Sequence, residues 1–262
     1  MKSSTAPSTG STSTPTEESY GAFAYAYDKA LGQRFFGSVR KLIEHTLEKY
    51  PARVQTHLDV ACGTGLVAEL FASRGWTTTG VDASLPMLSQ ARKRSSRLVA
   101  ADFRALPFRG KFARITCLYD SLNHLRDRVE LTAAFRAVRR VIAADGLFLF
   151  DMNHPDIYPE IWGMKQPYIA SGADFHLEIA TKFDKRARIG QALVTGWALL
   201  ADGSRATIHE THRQRAYTER EIVESLRDAG FVPREVIDFD PYDEAGNVEA
   251  DGVKLFFIAA PI

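Results

Sequence analysis

The chain has 262 residues, of which 45% are hydrophobic and 25% charged, with a formal net charge of +1 at pH 7. That length accommodates one large α/β domain with an insertion, or two modest domains, and either buries a core without disulfide or metal staples. The near-neutral balance gives no electrostatic reason for a nucleic-acid partner, and the two cysteines, Cys62 and Cys117, lie in apolar stretches that suit a reduced pair better than a disulfide or zinc.

Residues 1–19 are mostly Ser, Thr and Pro with Glu17 and Glu18, too poor in apolar side chains to order, so a disordered tail is expected. The tail has neither the apolar core of a secretory signal nor the arginines of a transit peptide. No later run is apolar enough to span a bilayer, so no membrane partner is expected and the cytoplasm is the expected location. From Tyr20 to Tyr50 aromatics lead into an amphipathic helix, with Val39, Leu42, Ile43, Thr46 and Leu47 at helical spacing. Pro51 ends it.

A regular alternation follows. Thr56 to Ala61 reads as a first strand running into a glycine turn, and Leu66, Val67, Leu70 and Phe71 give a helix face that stops at Gly75. Trp76 to Val81 is the second strand, Ser84 caps a helix with Pro86 in its first turn, and Arg97 to Ala100 is the third strand. Phe112 to Leu118 is the fourth. Asp127 with Glu130 makes a capping-box-like start for a helix carrying Leu131, Ala134, Phe135, Val138 and Ile142 on one face. Gly146 to Asp151, apolar almost throughout, is the fifth strand.

The alternation breaks there. Phe175, Leu177, Ile179 and Phe183 recur at even spacing, Val194, Trp197 and Leu199 mark a second run, and Asp202-Gly203 offers a hairpin turn into Ala206 to Tyr217. Residues 153–217 are therefore expected to form an antiparallel β unit inserted into a core made of 20–152 and 218–262. Thr218 and Glu221 form a capping box for a helix that ends at Gly230, and Val232 to Phe239 with Lys254 to Ala260 supply a last hairpin. The fold class is α/β, a doubly wound Rossmann-like sheet with its ligand site at the carboxyl ends of the strands.

Asp59, Asp82, Asp102 and Tyr119-Asp120 all fall at such ends. Gly63-Thr64-Gly65-Leu66-Val67-Ala68 fits the dinucleotide pattern, which does not by itself separate a nicotinamide enzyme from other nucleoside binders. Asp59 does: its carboxylate stands where a pyrophosphate would lie, and attracts an ammonium group instead. Asp82, nineteen positions after Gly63, is placed to accept hydrogen bonds from a ribose diol. Asp102 is placed to pair with an adenine amino group and Phe103 to cover the ring, beside Ala83, Ser84 and Met87. The competing reading is that strand-end carboxylates merely cap the following helix.

In this combination the sequence resembles the class I S-adenosylmethionine-dependent methyltransferases, from about Tyr20 onward. Leu58 to Gly65 is similar to that family's glycine motif, Gly80-Val81-Asp82-Ala83-Ser84 to its ribose motif, and Ala101-Asp102-Phe103 to its adenine motif. The resemblance implies a seven-stranded sheet with the last strand antiparallel, S-adenosyl-L-methionine as cofactor, and cofactor contacts from Tyr27, Asp59, Ala61, Cys62, Gly63, Gly65, Asp82, Ala83, Met87, Asp102, Phe103 and Tyr119. The inserted β unit resembles the acceptor lid of small-molecule branches such as glycine and sugar N-methyltransferases. The Asn-Pro-Pro-Tyr type of motif found in many enzymes that methylate nucleic-acid amino groups is absent after the fourth strand.

The expected reaction is direct displacement at an activated methyl by a nitrogen, or an oxygen, of a small-molecule acceptor. His124 is the candidate proton acceptor, since it follows the fourth strand and has an ordinary pKa suited to proton transfer. Tyr20, Tyr25 and Tyr27 are placed to close over the cofactor. His209 and His212, three apart on a predicted strand, face opposite sides and make no metal pair, so no metal is expected. An exposed edge of the inserted sheet offers a route to a dimer. Two other readings stay open: a nicotinamide-dependent oxidoreductase, and a methyltransferase-fold module that binds without turnover.

Overall fold

The computed structural model describes residues 20–240 and 252–262, so the expected tail at 1–19 lies outside the described residues. A short helix α1 (Phe23–Tyr27) continues through a π-helical turn (Asp28–Gly32) into α2 (Gln33–Lys49), which buries Phe35, Val39, Leu42, Ile43 and Thr46. Then come β1 (Thr56–Val60), α3 (Leu66–Ser73), β2 (Thr77–Asp82), α4 (Leu85–Ala91), β3 (Leu98–Ala100), β4 (Phe112–Cys117), α5 (Arg128–Val141) and β5 (Ile142–Asn153). With β10 (Phe231–Phe239) and β11 (Lys254–Pro261) these strands make one seven-stranded sheet in the order β10-β11-β5-β4-β1-β2-β3. Strands β1 to β5 pair in parallel, whereas β11 runs antiparallel to both neighbours, β5 and β10.

Helices cover both faces. Helices α5 and α7 (Glu219–Asp228) pack Leu131, Phe135, Val138, Ile222 and Leu226 against one side of the sheet, and α2 and α3 pack Val39, Ile43, Leu70 and Phe71 against the other. The middle of β5 and of β11 therefore sees no water, which is why Phe148, Leu149, Phe150 and Phe256 to Ala259 are apolar without alternation. Burying a side chain of this size contributes about 1.5–3 kcal/mol, so these strands anchor the sheet.

The helix starts follow local chemistry. Ser84 Oγ accepts from the Met87 amide at 3.2 Å, with Pro86 in the first turn. Asp127 caps α5 by accepting from Glu130 N at 2.9 Å, while the Glu130 carboxylate turns to the Arg126 amide, one residue before the cap, so only half a capping box forms. At α7 both halves are present between Thr218 and Glu221, and Gly230 adopts φ 82° just past the helix end.

Three local readings differ from expectation. Ile142 opens β5 opposite Phe112 instead of closing the α5 face. It is buried in either role, so periodicity did not discriminate. The insertion begins with a helix, α6 (Ile157–Ile161), and has a short strand β6 (Tyr168–Ser171) before the three longer ones, β7 (Phe175–Asp184), β8 (Ile189–Leu199) and β9 (Arg205–Arg215). These form a separate antiparallel sheet in the order β6-β7-β8-β9. The N-terminal segment is more than a cap on the main sheet: Phe23, Ala26 and Ala30 share a cluster with Phe175, Leu177, Val194, Ala198 and Ile208 of the inserted sheet. Among the described residues no helix is long and apolar enough to cross a membrane.

Candidate active site

A cavity of about 560 Å³ opens where the carboxyl ends of β1, β2 and β4 meet the N-terminal segment and β9. One end is built by the β1 and β2 termini. The Gly63 amide donates to Asp82 Oδ2 at 2.8 Å and the Ser84 amide to Oδ1 at 2.8 Å, so two backbone donors aim this carboxylate into the cavity wall. Burial raises the Asp82 carboxyl above its ordinary range, and these amides pull it back. Gly63 has φ 53°, and a Cβ on it would meet nothing within 4 Å, which leaves an open shelf beside the two acids. Gly65 serves packing instead: with φ 86° it lets α3 approach α4, where an added Cβ would stand 3.2 Å from Ala91 Cβ.

Asp59 lies behind that shelf, 3% exposed. Its Oδ1 accepts from Thr116 Oγ1 at 2.6 Å, while Oδ2 has no hydrogen-bond partner among the described residues. Burial pushes its carboxyl up to about 7, with the Thr116 hydroxyl and, more weakly, the Ala68 amide at the start of α3 acting in the opposite direction. A buried acid with an unpaired oxygen in a cavity wall gains most from a cationic hydrogen-bond donor.

The other end is framed by the loop after β4 and by β9. Tyr119 and Asp120 both have left-handed backbones, φ 62° and 49°, a costly pair for non-glycine residues that turns the chain sharply at the strand end. The turn carries His124 back to the cavity. Asn123 pins it, donating to the Arg215 carbonyl at 2.9 Å and accepting from the Asn153 amide at 3.0 Å. Tyr20 Oη lies 3.5 Å from His124 Nε2, and the Tyr20 ring packs on His212 with centroids 4.7 Å apart. Burial holds the His124 imidazole down at about 4, so the expected ordinary pKa is corrected: the ring is neutral at pH 7.

The expected residues distribute unevenly. Tyr27, Asp59, Ala61, Cys62, Gly63, Asp82, Ala83, Met87, Phe103, Tyr119 and His124 line the cavity, and Tyr20 and Ser84 do so as well. Gly65 does not line it, for the packing reason above. Asp102 is also outside: Arg104 grips its carboxylate through Nε, 3.0 Å from both oxygens, and the Arg104 amide donates at 2.8 Å, so its acceptors are taken. Tyr25 packs in the N-terminal cluster away from the lining. His209 and His212 do fall on opposite faces, exposed and buried respectively.

Sequence reasoning missed His212 and Gln214 as cavity residues. The available signal was the alternation Ile208, Glu210, His212, Gln214 along β9, where polar groups occupy the buried face of a strand. Among the described residues no group of three or more His, Cys, Asp or Glu is arranged to hold a metal.

Residues 58–146 match the model of a methyltransferase domain. The chain is 28% identical over 254 residues to a putative methyltransferase of Bacillus subtilis, YqeM, covering 92% of this chain and 96% of that one. It is 27% identical over 190 residues to the dTDP-3-amino-3,6-dideoxy-alpha-D-glucopyranose N,N-dimethyltransferase of Streptomyces fradiae, covering 70% and 72%. Among solved structures, an S-adenosylmethionine-dependent methyltransferase from Clostridium acetobutylicum superposes with a TM-score of 0.73 at 24% identity, covering 91% of this chain and 97% of that one.

Proposed function

We propose, from the match of residues 58–146 to a methyltransferase domain and from the Rossmann-like fold, that the chain transfers a methyl group from S-adenosylmethionine to a nitrogen of a small-molecule acceptor. The observation that supports this reading best is the pair of buried acids flanking the open face of Gly63. Asp59 offers an unpaired oxygen to the ammonium of an amino-acid tail, and Asp82, fixed by two amides, offers lone pairs to a ribose diol. Phe103 and Met87 supply apolar surface for the adenine. A dinucleotide pyrophosphate fits poorly, because it would bring negative charge against Asp59.

When bound, S-adenosylmethionine supplies a methyl group on a positively charged sulfonium, which a lone pair displaces directly. The chain's own residues have only to orient the acceptor and exclude water. His124 suits orientation better than proton removal. An ordinary amine has a pKa several units above that of His124, and each unit costs about 1.4 kcal/mol, so full transfer from an ammonium to this ring is strongly uphill. The acceptor therefore arrives as the neutral amine, and His124 Nε2 accepts an N–H hydrogen bond that turns the nitrogen lone pair toward the methyl group. The relative that methylates an amino sugar is consistent with a nitrogen acceptor.

Calorimetric titration with S-adenosylmethionine and, in parallel, a nicotinamide dinucleotide tests the reading. Saturable binding of the first alone supports it. Binding of the dinucleotide alone overturns it and moves the chemistry to hydride transfer.

A further inference from the structure

The polar side chains behind His124 form one connected set. Asp151 is fully buried at the end of β5, and its Oδ2 accepts from Lys254 Nζ at 2.9 Å and from the Asp120 amide at 3.0 Å. Lys254 also pairs with Asp120 Oδ1, and Asp120 Oδ2 accepts from Gln214 Nε2. On its other side, Gln214 Oε1 accepts from Asn153 Nδ2 at 2.8 Å and from Tyr158 Oη at 3.1 Å.

These partners decide which way the Gln214 amide points. A carboxylate oxygen only accepts, so the atom facing Asp120 is the NH₂ group, and the oxygen is left to the two donors on its far side. A flipped amide would set oxygen against carboxylate and NH₂ against NH₂. Its Nε2 has two hydrogens, one spent on Asp120, and the nearest acceptor position for the other is His124 Nε2 at 3.5 Å, the outer limit of hydrogen-bonding distance. Since Nε2 faces the Gln214 NH₂ group and the Tyr20 hydroxyl, Nδ1 is the nitrogen left to carry the proton of the neutral ring.

We propose that Gln214 is a positioning residue for methyl transfer: clamped by Asp120, Asn153 and Tyr158, its NH₂ group keeps the proton off His124 Nε2 and so holds the ring as the Nδ1–H tautomer, and its long 3.5 Å contact yields the single Nε2 lone pair to the acceptor's N–H when the acceptor binds. The role assigned to that lone pair rests on the methyltransferase reading of the cavity. The elements packed against the ring on β9 and β11 fit this arrangement. From β9, Gln214 presents N–H and His212 stands with ring centroid 6.1 Å away; from β11, Lys254 adds positive charge. Both cations and donors disfavour a proton on Nε2. Asp120, on the ring's own loop, acts in the opposite direction, but its carboxylate is shared between Lys254 and Gln214. Glu210 accepts from the Tyr20 and Phe23 amides of the N-terminal segment and lies 3.3 Å from His212 Nε2, so its negative charge is spent on those groups and not on His124.

Long-range ¹⁵N–¹H spectra of the histidine side chains in the full-length protein read the tautomer directly, with the His124 signal assigned by its loss in His124→Asn. The expected result is a neutral Nδ1–H ring from pH 5.5 to 8. An Nε2–H ring, or protonation with a midpoint near 6.5, overturns the proposal. Gln214→Glu replaces the donor by an acceptor, so His124 is expected to move its proton to Nε2 and to titrate at higher pH. In Gln214→Met, which keeps the shape and loses both hydrogen-bonding atoms, a mixed tautomer population is expected. An unchanged Nδ1–H ring in either variant overturns the clamp, and the wild-type spectrum decides the tautomer whether or not the variants fold. Calorimetry of the wild type with S-adenosylmethionine reports separately on the function: lost cofactor binding with an Nδ1–H ring sinks the methyltransferase reading and leaves the clamp intact.

Discussion

Two carboxyl groups respond differently to mutation and pH. Asp82 is held by backbone amides beside the cavity, and hydrogen bonds to a charged acceptor contribute about 1.5–3 kcal/mol each. Asp82→Ala is expected to weaken S-adenosylmethionine binding by at least about 100-fold, measured by calorimetry beside a melting curve; unchanged affinity removes the ribose role. Asp59 is an acid raised to about 7, so in the free protein it is protonated below that pH. A raised carboxyl favours the folded state below about pH 4 and loses that contribution as pH climbs to 7. Binding a cation selects the ionised form, so S-adenosylmethionine affinity is expected to rise between pH 5.5 and 8, with proton release at the lower pH seen as a buffer-dependent binding enthalpy. A flat profile removes the ammonium contact. Both acids were legible in the sequence because strand ends follow from β-patterning. Asp102 was equally legible as a strand end but not as a site residue, because its partner, Arg104, competes from two positions away. That competition depends on side-chain direction, which the residue order does not encode.

Helix caps are the most transferable part of the reading at the level of elements, since the donor and acceptor lie within four residues. Thr218→Ala is expected to destabilise the protein by about 1 kcal/mol, read as a lower denaturation midpoint with an unchanged slope. The N-terminal segment shows the opposite case. Its π-helical turn turns Asp28 to Arg94 Nη1 at 2.8 Å and to the Thr64 hydroxyl, and the same guanidinium nitrogen donates to the Thr64 carbonyl at 3.0 Å. This latch ties the segment bearing Tyr20 and Tyr27 to the glycine loop across 36 positions of sequence, beyond the reach of any local pattern. Arg94→Met is expected to raise proteolytic cleavage between residues 20 and 32 several-fold and to weaken S-adenosylmethionine binding; equal cleavage rates would show that the latch carries no weight. Helix α6 and strand β6 also escaped the sequence reading, since they have only five and four residues and neither has a sustained period.

For the molecule as a whole, the cavity joins parts of the chain that are far apart in sequence, so a ligand there stabilises the folded state alone. At a hundred times its dissociation constant, S-adenosylmethionine adds about 2.7 kcal/mol. At about 2–4 °C per kcal/mol for a chain of this size, the melting midpoint is expected to rise by about 5–10 °C, with no rise from a nicotinamide dinucleotide. The sequence by itself determined the alternation of strands and helices, the caps, the glycine loop and the acids around it, because each rests on periodicity or on partners a few residues away. Only the tertiary structure decided that β9 brings His212 and Gln214 over the cavity, that burial keeps His124 neutral, and that the N-terminal segment bridges the two sheets. Desolvation and long-range hydrogen bonds set those outcomes, and both depend on which distant residues share a volume that does not exist until the chain has folded.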